Sequence, residues 1–252
     1  MMQRTPRSGR RSILFCVAAA TILLTVGACK LGTWAEQNAD LLKIDTHAST
    51  PLSLQDISDG LKAALQVGAD RVISQVGRTN GFNADRAIHI PLPEQLEAAK
   101  KILSAVGMGN SMAVLEQKLN TAAEMAAPKA KALFMEAIRD MTFEDVKSIY
   151  NGANDSATQY FKKKMTPALV REMTPMVSGS LSDVGAIQVY DQIMARYQAI
   201  PLVPDIKANL SAYVVQKGMD GIFYYLAKEE AAIRENPARQ TTELLKRVFG
   251  QK

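Results

Sequence analysis

The segment ANLSAYVVQKGMDGIFYYLAKEEAAIRE, residues 208–235, decides the fold. It is the longest helical pattern in the chain and the most apolar. Within it, Ile222-Phe223-Tyr224-Tyr225-Leu226 puts apolar side chains on every side of a helix. A helix that is apolar all round belongs inside a shell of other helices. Gly218 and Gly221 cost helix stability, which predicts a neighbouring backbone close against them. Asp220 lies between the two glycines, with Tyr213, Lys217 and Tyr224 on its face.

A carboxylate in such a helix needs a partner, because an unpaired buried charge is expensive. A structural pair such as Asp220–Lys217 is the simpler reading, and a ligand-facing acid beside Tyr224 is the sharper one. Glu230 and Arg234 stand four apart and read as an ordinary surface pair. These four residues, Asp220, Tyr224, Glu230 and Arg234, are the candidate ligand-binding set. Glu229 and Glu230 diverge by about 100° on a helix, which weakens them as an acid–base dyad.

Outward from this segment the pattern stays helical. Ser53 and Asp56 form a capping box, after which Leu54, Ile57, Leu61, Leu65, Val72 and Val76 recur at helical spacing. Pro93 opens a second helix with Leu96, Ala99, Leu103 and Val106 inward and Gly107 as its stop. Met112, Leu115, Leu119, Ala122 and Ala126 mark a third, broken near Pro128, and Leu133 to Ile138 continue beyond it. Thr142 and Asp145 form another capping box. Helices follow near 156–165, 167–184 and 186–199, the second bent or broken near Pro175. A last helix runs from Pro237 to Phe249. Methionines at inward positions (Met112, Met173, Met176, Met194) read as core filling.

Only Ala87–Ile90 alternates like a strand, and proline follows at once. Ile90-Pro91-Leu92-Pro93 and Ile200-Pro201-Leu202-Val203-Pro204 each lead into a helix without a matching period elsewhere, so they are two similar loops, not a duplication. The fold class is all-α: a single multi-helix domain of roughly eight to ten helices around a central apolar helix.

The first residues read differently. Arg4, Arg7, Arg10 and Arg11 precede the apolar run Ile13–Val26, with no acid among residues 1–28, and Gly27-Ala28 precede Cys29. That order is a secretory signal, and the run is shorter than the ~20 residues a spanning helix needs. Arg10-Arg11 also has some likeness to a twin-arginine signal, although an ordinary basic n-region suffices. Residues 1–28 are therefore a signal peptide, 29–51 a tether carrying Trp34, and 52–252 the helical domain. The four arginines account for the basic balance. Without them 26 basic side chains face 25 acidic ones, so the formal charge of +5 falls to about +1 and offers no general field for nucleic acid.

Several chemistries are missing. His47 and His89 are the only histidines, and no zinc pattern surrounds them. Gly109-Asn110-Ser111-Met112-Ala113 lacks the second glycine of a nucleophile elbow. Gly107-Met108-Gly109 lacks the third glycine of a dinucleotide site and reads as a helix stop. Lys162-Lys163-Lys164 is a solvated helix end. No metal or cofactor is expected.

Two resemblances add to this. Val26-Gly27-Ala28-Cys29 resembles the lipobox of bacterial lipoprotein precursors, which implies lipid on Cys29 and a membrane as partner. Lys30, where an aspartate would resemble an inner-membrane retention signal, implies the outer membrane in a two-membrane bacterium, on its periplasmic face. From about Leu52 to Gly250 the chain looks like an uncharacterised family of bacterial envelope proteins, domain of unknown function 4197. The stretches that carry this are Gly77–Phe82, Ile90–Pro93, Asn151-Gly152 with Asp155, Ala157-Thr158 and Tyr160–Lys162, Ile200–Val203, and Asp220-Gly221 with Phe223-Tyr224, Glu229-Glu230, Ile233-Arg234 and Asn236 through Gly250. The family implies an exported helical domain and supplies no catalytic residues. The expected role is a non-catalytic module that binds an envelope protein or an apolar ligand. The alternatives are an envelope hydrolase using Asp220 or Glu230, and a structural spacer.

Overall fold

Local chemistry sets the helix starts. Ser53 and Asp56 exchange hydrogen bonds in a capping box that opens α1, Leu54–Val76. Thr142 and Asp145 do the same for α5, Phe143–Asn151. The structure, a computed structural model, describes residues 53–236 and Lys246. The expected signal peptide, the expected tether with Cys29, Trp34 and His47, and, apart from Lys246, the helix expected over 237–249 lie outside the described residues.

Between the two boxes come α2 (Glu94–Ala105), which follows Pro93, and α3 (Gly109–Ala126). A 3-10 turn at Ala127–Ala130 carries Pro128 and leads into α4, Lys131–Arg139. After α5 come α6 (Ser156–Asp183), α7 (Ala186–Gln198) and α8 (Leu210–Glu235). Every regular element among the described residues is helical, so the domain is all-α. The Ala87–Ile90 alternation is loop.

α6 corrects the sequence reading, which split it near residue 166 and bent or broke it again near Pro175. It is one continuous helix with Pro167 and Pro175 inside. Each proline removes one backbone donor, but both sit on the exposed side of the helix, where the freed carbonyls meet water. The threonine before each proline bonds back one turn, Thr166 Oγ1 to Lys162 O and Thr174 Oγ1 to Val170 O, both at 2.6 Å.

Charges from distant helices close other helix ends. Lys62 Nζ donates to Arg139 O at 2.9 Å at the end of α4, and Lys118 Nζ donates to Val184 O at the end of α6. A cation is the sign the carbonyl end of a helix favours.

α8 packs against α6, α1 and α3. Phe223 of α8 and Phe161 of α6 both meet Phe134 of α4 edge-on, with centroids 6.0 Å apart in each pair. Each such contact adds about 0.5–1.5 kcal/mol to the area buried. The remaining side of α8 is open: Gln216, Asp220, Tyr224 and Lys228, one turn apart in succession, all face solvent. Tyr224 keeps 39% of its surface exposed, so the apolar run is not buried on every side. Tyrosine tolerates this because its ring packs while its hydroxyl stays wet. Leu54 and Val106, expected inward, are also exposed, at helix ends where the packed face runs out.

The two glycines of α8 differ. A Cβ on Gly221 would meet the Phe82 ring at 2.7 Å and Ile88 Cβ at 3.2 Å, so the close neighbour is a loop side chain and not a backbone. A Cβ on Gly218 meets nothing within 4 Å, and this residue lines a small apolar recess of about 20 Å³. Gly218→Ala is therefore expected to gain about 0.5–1 kcal/mol from helix propensity. Gly221→Ala is expected to lose about 1–3 kcal/mol through overpacking. Urea denaturation of the two variants should move in opposite directions, and a shared direction would contradict this packing.

Candidate functional site

Three features surround the open side of α8. The first is the loop 77–93, which carries Gly77–Phe82 and Ile90–Pro93. Asn80 sits at φ +61°, a left-handed conformation that asparagine tolerates, and a Cβ on Gly81 would strike the Val76 carbonyl. The loop is fastened to α3 by Glu116, Asn120 and Glu124, successive turns of one helix face. Glu124, 5% exposed, accepts the backbone N–H groups of Asn80, Phe82 and Asn83, each at 3.0 Å. Asn120, fully buried, accepts from Ile90 N and donates to Ile90 O, both at 2.8 Å. Its amide thus holds both backbone groups of Ile90, whereas Ala87 and Ile88 form a turn in which Ile88 N and His89 N bond to Asp85 O, so the alternation of Ala87–Ile90 marks no strand. His89 Nδ1 donates to Asn83 O at 3.0 Å, while Nε2 faces Glu116 Oε1 at 2.8 Å.

The loop also reaches α8, where the Tyr225 hydroxyl donates to Asp85. That bond, burial and the Asp85 charge push the Tyr225 phenol from 10.0 up to about 12. A group raised above its unfolded value contributes stability below pH 10 and loses it as pH rises towards 12. Ultraviolet titration should show one tyrosine ionising last, near pH 12, and Tyr225→Phe should abolish that step while flattening the stability loss above pH 10. An unchanged titration curve in that variant would refute the assignment.

The second feature is the Glu230–Arg234 pair, which corrects the reading of an ordinary surface pair. Their side chains are only 6% and 7% exposed. Glu230 accepts from Ala157 N at 2.9 Å and from Thr158 N and Oγ1 at 3.0 Å, capping the first turn of α6. Arg234 Nη2 donates to Glu230 Oε1 at 2.9 Å and to Ile149 O at 2.8 Å, at the end of α5. One helical turn of α8 thus joins the carbonyl end of α5 to the amide end of α6, with the sign each dipole favours.

The third is an open groove of about 490 Å³ between α6 and α8. Gln159 and Lys162 line it from α6, and Asp220, Tyr224, Ala227, Lys228 and Ala231 from α8. Asp220 accepts from Gln216 Nε2 at 3.1 Å, not from Lys217, whose ammonium lies 5.9 Å from the Tyr213 ring centroid. The four proposed ligand-binding residues therefore separate: Asp220 and Tyr224 share the groove, while Glu230 and Arg234 are interior ties beside it. Glu116, Asn120 and Glu124 escaped the sequence reading. Their signal was a polar row at four-residue spacing along the edge of the apolar stripe of α3.

Among the described residues, no cluster of three or more His, Cys, Asp or Glu could hold a metal ion, and no helix is long and apolar enough to cross a membrane. The family described as protein of unknown function (DUF4197) matches residues 51–250. The chain belongs to this family. No curated protein and no solved structure matches it. In this DUF4197 domain two of the stretches that carried the resemblance meet the α8 stretch in space. Phe82 of the first packs on Gly221 of the last, and Ala157-Thr158 bond to Glu230.

Proposed function

We propose that the chain is an exported, non-catalytic binding module, held on the periplasmic face of a bacterial membrane by lipid on Cys29. The anchor reading rests on the order of basic segment, apolar run and Gly27-Ala28-Cys29, and Lys30 favours the outer membrane. Several acyl chains hold a protein stably where one does not. The observation that carries the binding role is the open groove of about 490 Å³, where Tyr224 and Lys228 stand exposed beside Asp220. Against the hydrolase, Glu230 spends both carboxylate oxygens on α6 and Arg234, and general acid–base work needs an oxygen within reach of substrate.

The anchor is tested by fractionation. The wild-type protein is expected in the membrane fraction, carrying acyl label and a mature N-terminus at Cys29. Cys29→Ser is expected to lose the label and leave that fraction when extracted with salt. A mature N-terminus elsewhere, or an unmodified thiol at position 29, would defeat the reading.

A further inference from the structure

We infer that the groove between α6 and α8 docks an acidic amphipathic helix of a partner protein, a reading that rests on the binding role proposed above. The groove follows α8 from Asp220 to Ala231, about three helical turns or ~16 Å. Its floor is Ala227, Ala231 and the buried Phe223 ring, small or flat enough for another helix to lie close. An amphipathic helix in a groove uses this kind of surface, with an apolar ridge facing inward.

Charge selects the occupant. Lys162 and Lys228, one on each wall, are exposed and make no ion pair among the described residues. Their ammonium groups rest near aromatic rings, Lys162 at 5.8 Å from the Phe223 centroid and Lys228 at 4.7 Å from that of Tyr224. An exposed cation–π contact is weak, so a carboxylate can draw either lysine away at little cost. Glutamates flanking the ridge of an incoming helix would meet the two lysines from opposite sides. Asp220, the one acid lining the groove among the described residues, stands at its far end. It favours the amide end of the incoming helix, whose dipole is positive. The bound helix then runs parallel to α8.

The test uses the full mature chain in detergent and two labelled helical peptides. One carries an alanine–leucine ridge flanked by glutamates, and its twin has lysine at each glutamate. Fluorescence anisotropy should show the acidic peptide binding at least about tenfold more tightly than its twin. It should also shift the Ala227 and Ala231 methyl signals in NMR spectra. The double variant Lys162→Glu, Lys228→Glu should reverse the preference while circular dichroism shows the domain still folded, its melt lowered only slightly by the loss of two exposed cation–π contacts; the milder Lys228→Gln should weaken the acidic peptide alone. Equal binding of the two peptides, or a preference unaffected by charge reversal, would overturn the inference. So would binding of phosphatidylglycerol vesicles through the same lysines with no peptide binding, since the occupant would then be a lipid surface. The Cys29 fractionation is independent of these outcomes, so failure of the groove and failure of the anchor are separately visible.

Discussion

Glu230→Ala is expected to destabilise the domain by about 3–5 kcal/mol, the cost of leaving one half of a buried ion pair behind. Three losses combine. The Ala157 and Thr158 amides at the start of α6 lose their acceptor. Thr158 Oγ1, itself buried, loses its partner. The Arg234 guanidinium loses the buried carboxylate it is paired with, while its bonds to the α5 carbonyls cannot supply a countercharge. An exposed pair at the same spacing is worth about 0.2–0.5 kcal/mol, so the magnitude separates the two environments. Urea denaturation followed by circular dichroism measures it. Adding Arg234→Met to Glu230→Ala should recover part of the loss, because an apolar replacement no longer needs the missing charge. A loss below about 0.5 kcal/mol would mean that the pair is solvated after all.

What the sequence made legible was whatever depends on neighbours within one turn. Both capping boxes rest on residues three apart, and both are present. The Gly107 stop behaves likewise, at φ +82°. Readings that needed to know which side of a helix meets water fared worse. Pro167 and Pro175 suggest a break because each removes a hydrogen bond, yet on an exposed face the freed carbonyls can turn to water and the helix runs through. Tyr224 shows the reverse error: its ring counted as core, whereas its position places it on the open stripe of α8.

The pairings across the fold were the least legible. Glu230 and Arg234 have the same spacing whether they lie at a surface or join α5 to α6, and only the convergence of those two helix ends separates the cases. Gly221 announced a close approach, but nothing in a single segment names Phe82, far back in the chain, as what approaches. The polar row Glu116, Asn120 and Glu124 drew no reading, since four-residue spacing of polar side chains is what any solvated helix edge shows. It becomes visible as an attachment only when loop 77–93, whose own backbone bonds are turns that leave the Asn80, Phe82, Asn83 and Ile90 amides to other acceptors, is laid beside it. Backbone amides in the buried parts of a loop, here Phe82 and Ile90, must find acceptors somewhere, and this row provides them.

That accounting makes Glu124 the second large expectation. Glu124→Ala should cost about 3 kcal/mol, since three amides lose a charged acceptor and the Phe82 N–H is buried where water cannot replace it. The effect should be local in its dynamics. Hydrogen exchange at Asn80, Phe82 and Asn83 should speed up far more than exchange in α4 or α5, because the loop can open before the helices do. Glu124→Gln sharpens the test. Its single amide oxygen can still serve Phe82 and Asn83, which share one carboxylate oxygen, while its NH₂ would then face the Asn80 N–H, donor against donor. Asn80 is exposed and can turn to water, so the glutamine variant should lose only about 1 kcal/mol, with faster exchange confined to Asn80. If alanine and glutamine destabilise equally and expose all three amides alike, the two oxygens of Glu124 do not divide the loop between them in this way, and the loop must be held chiefly by Asn120, Tyr225 and the Phe82 ring.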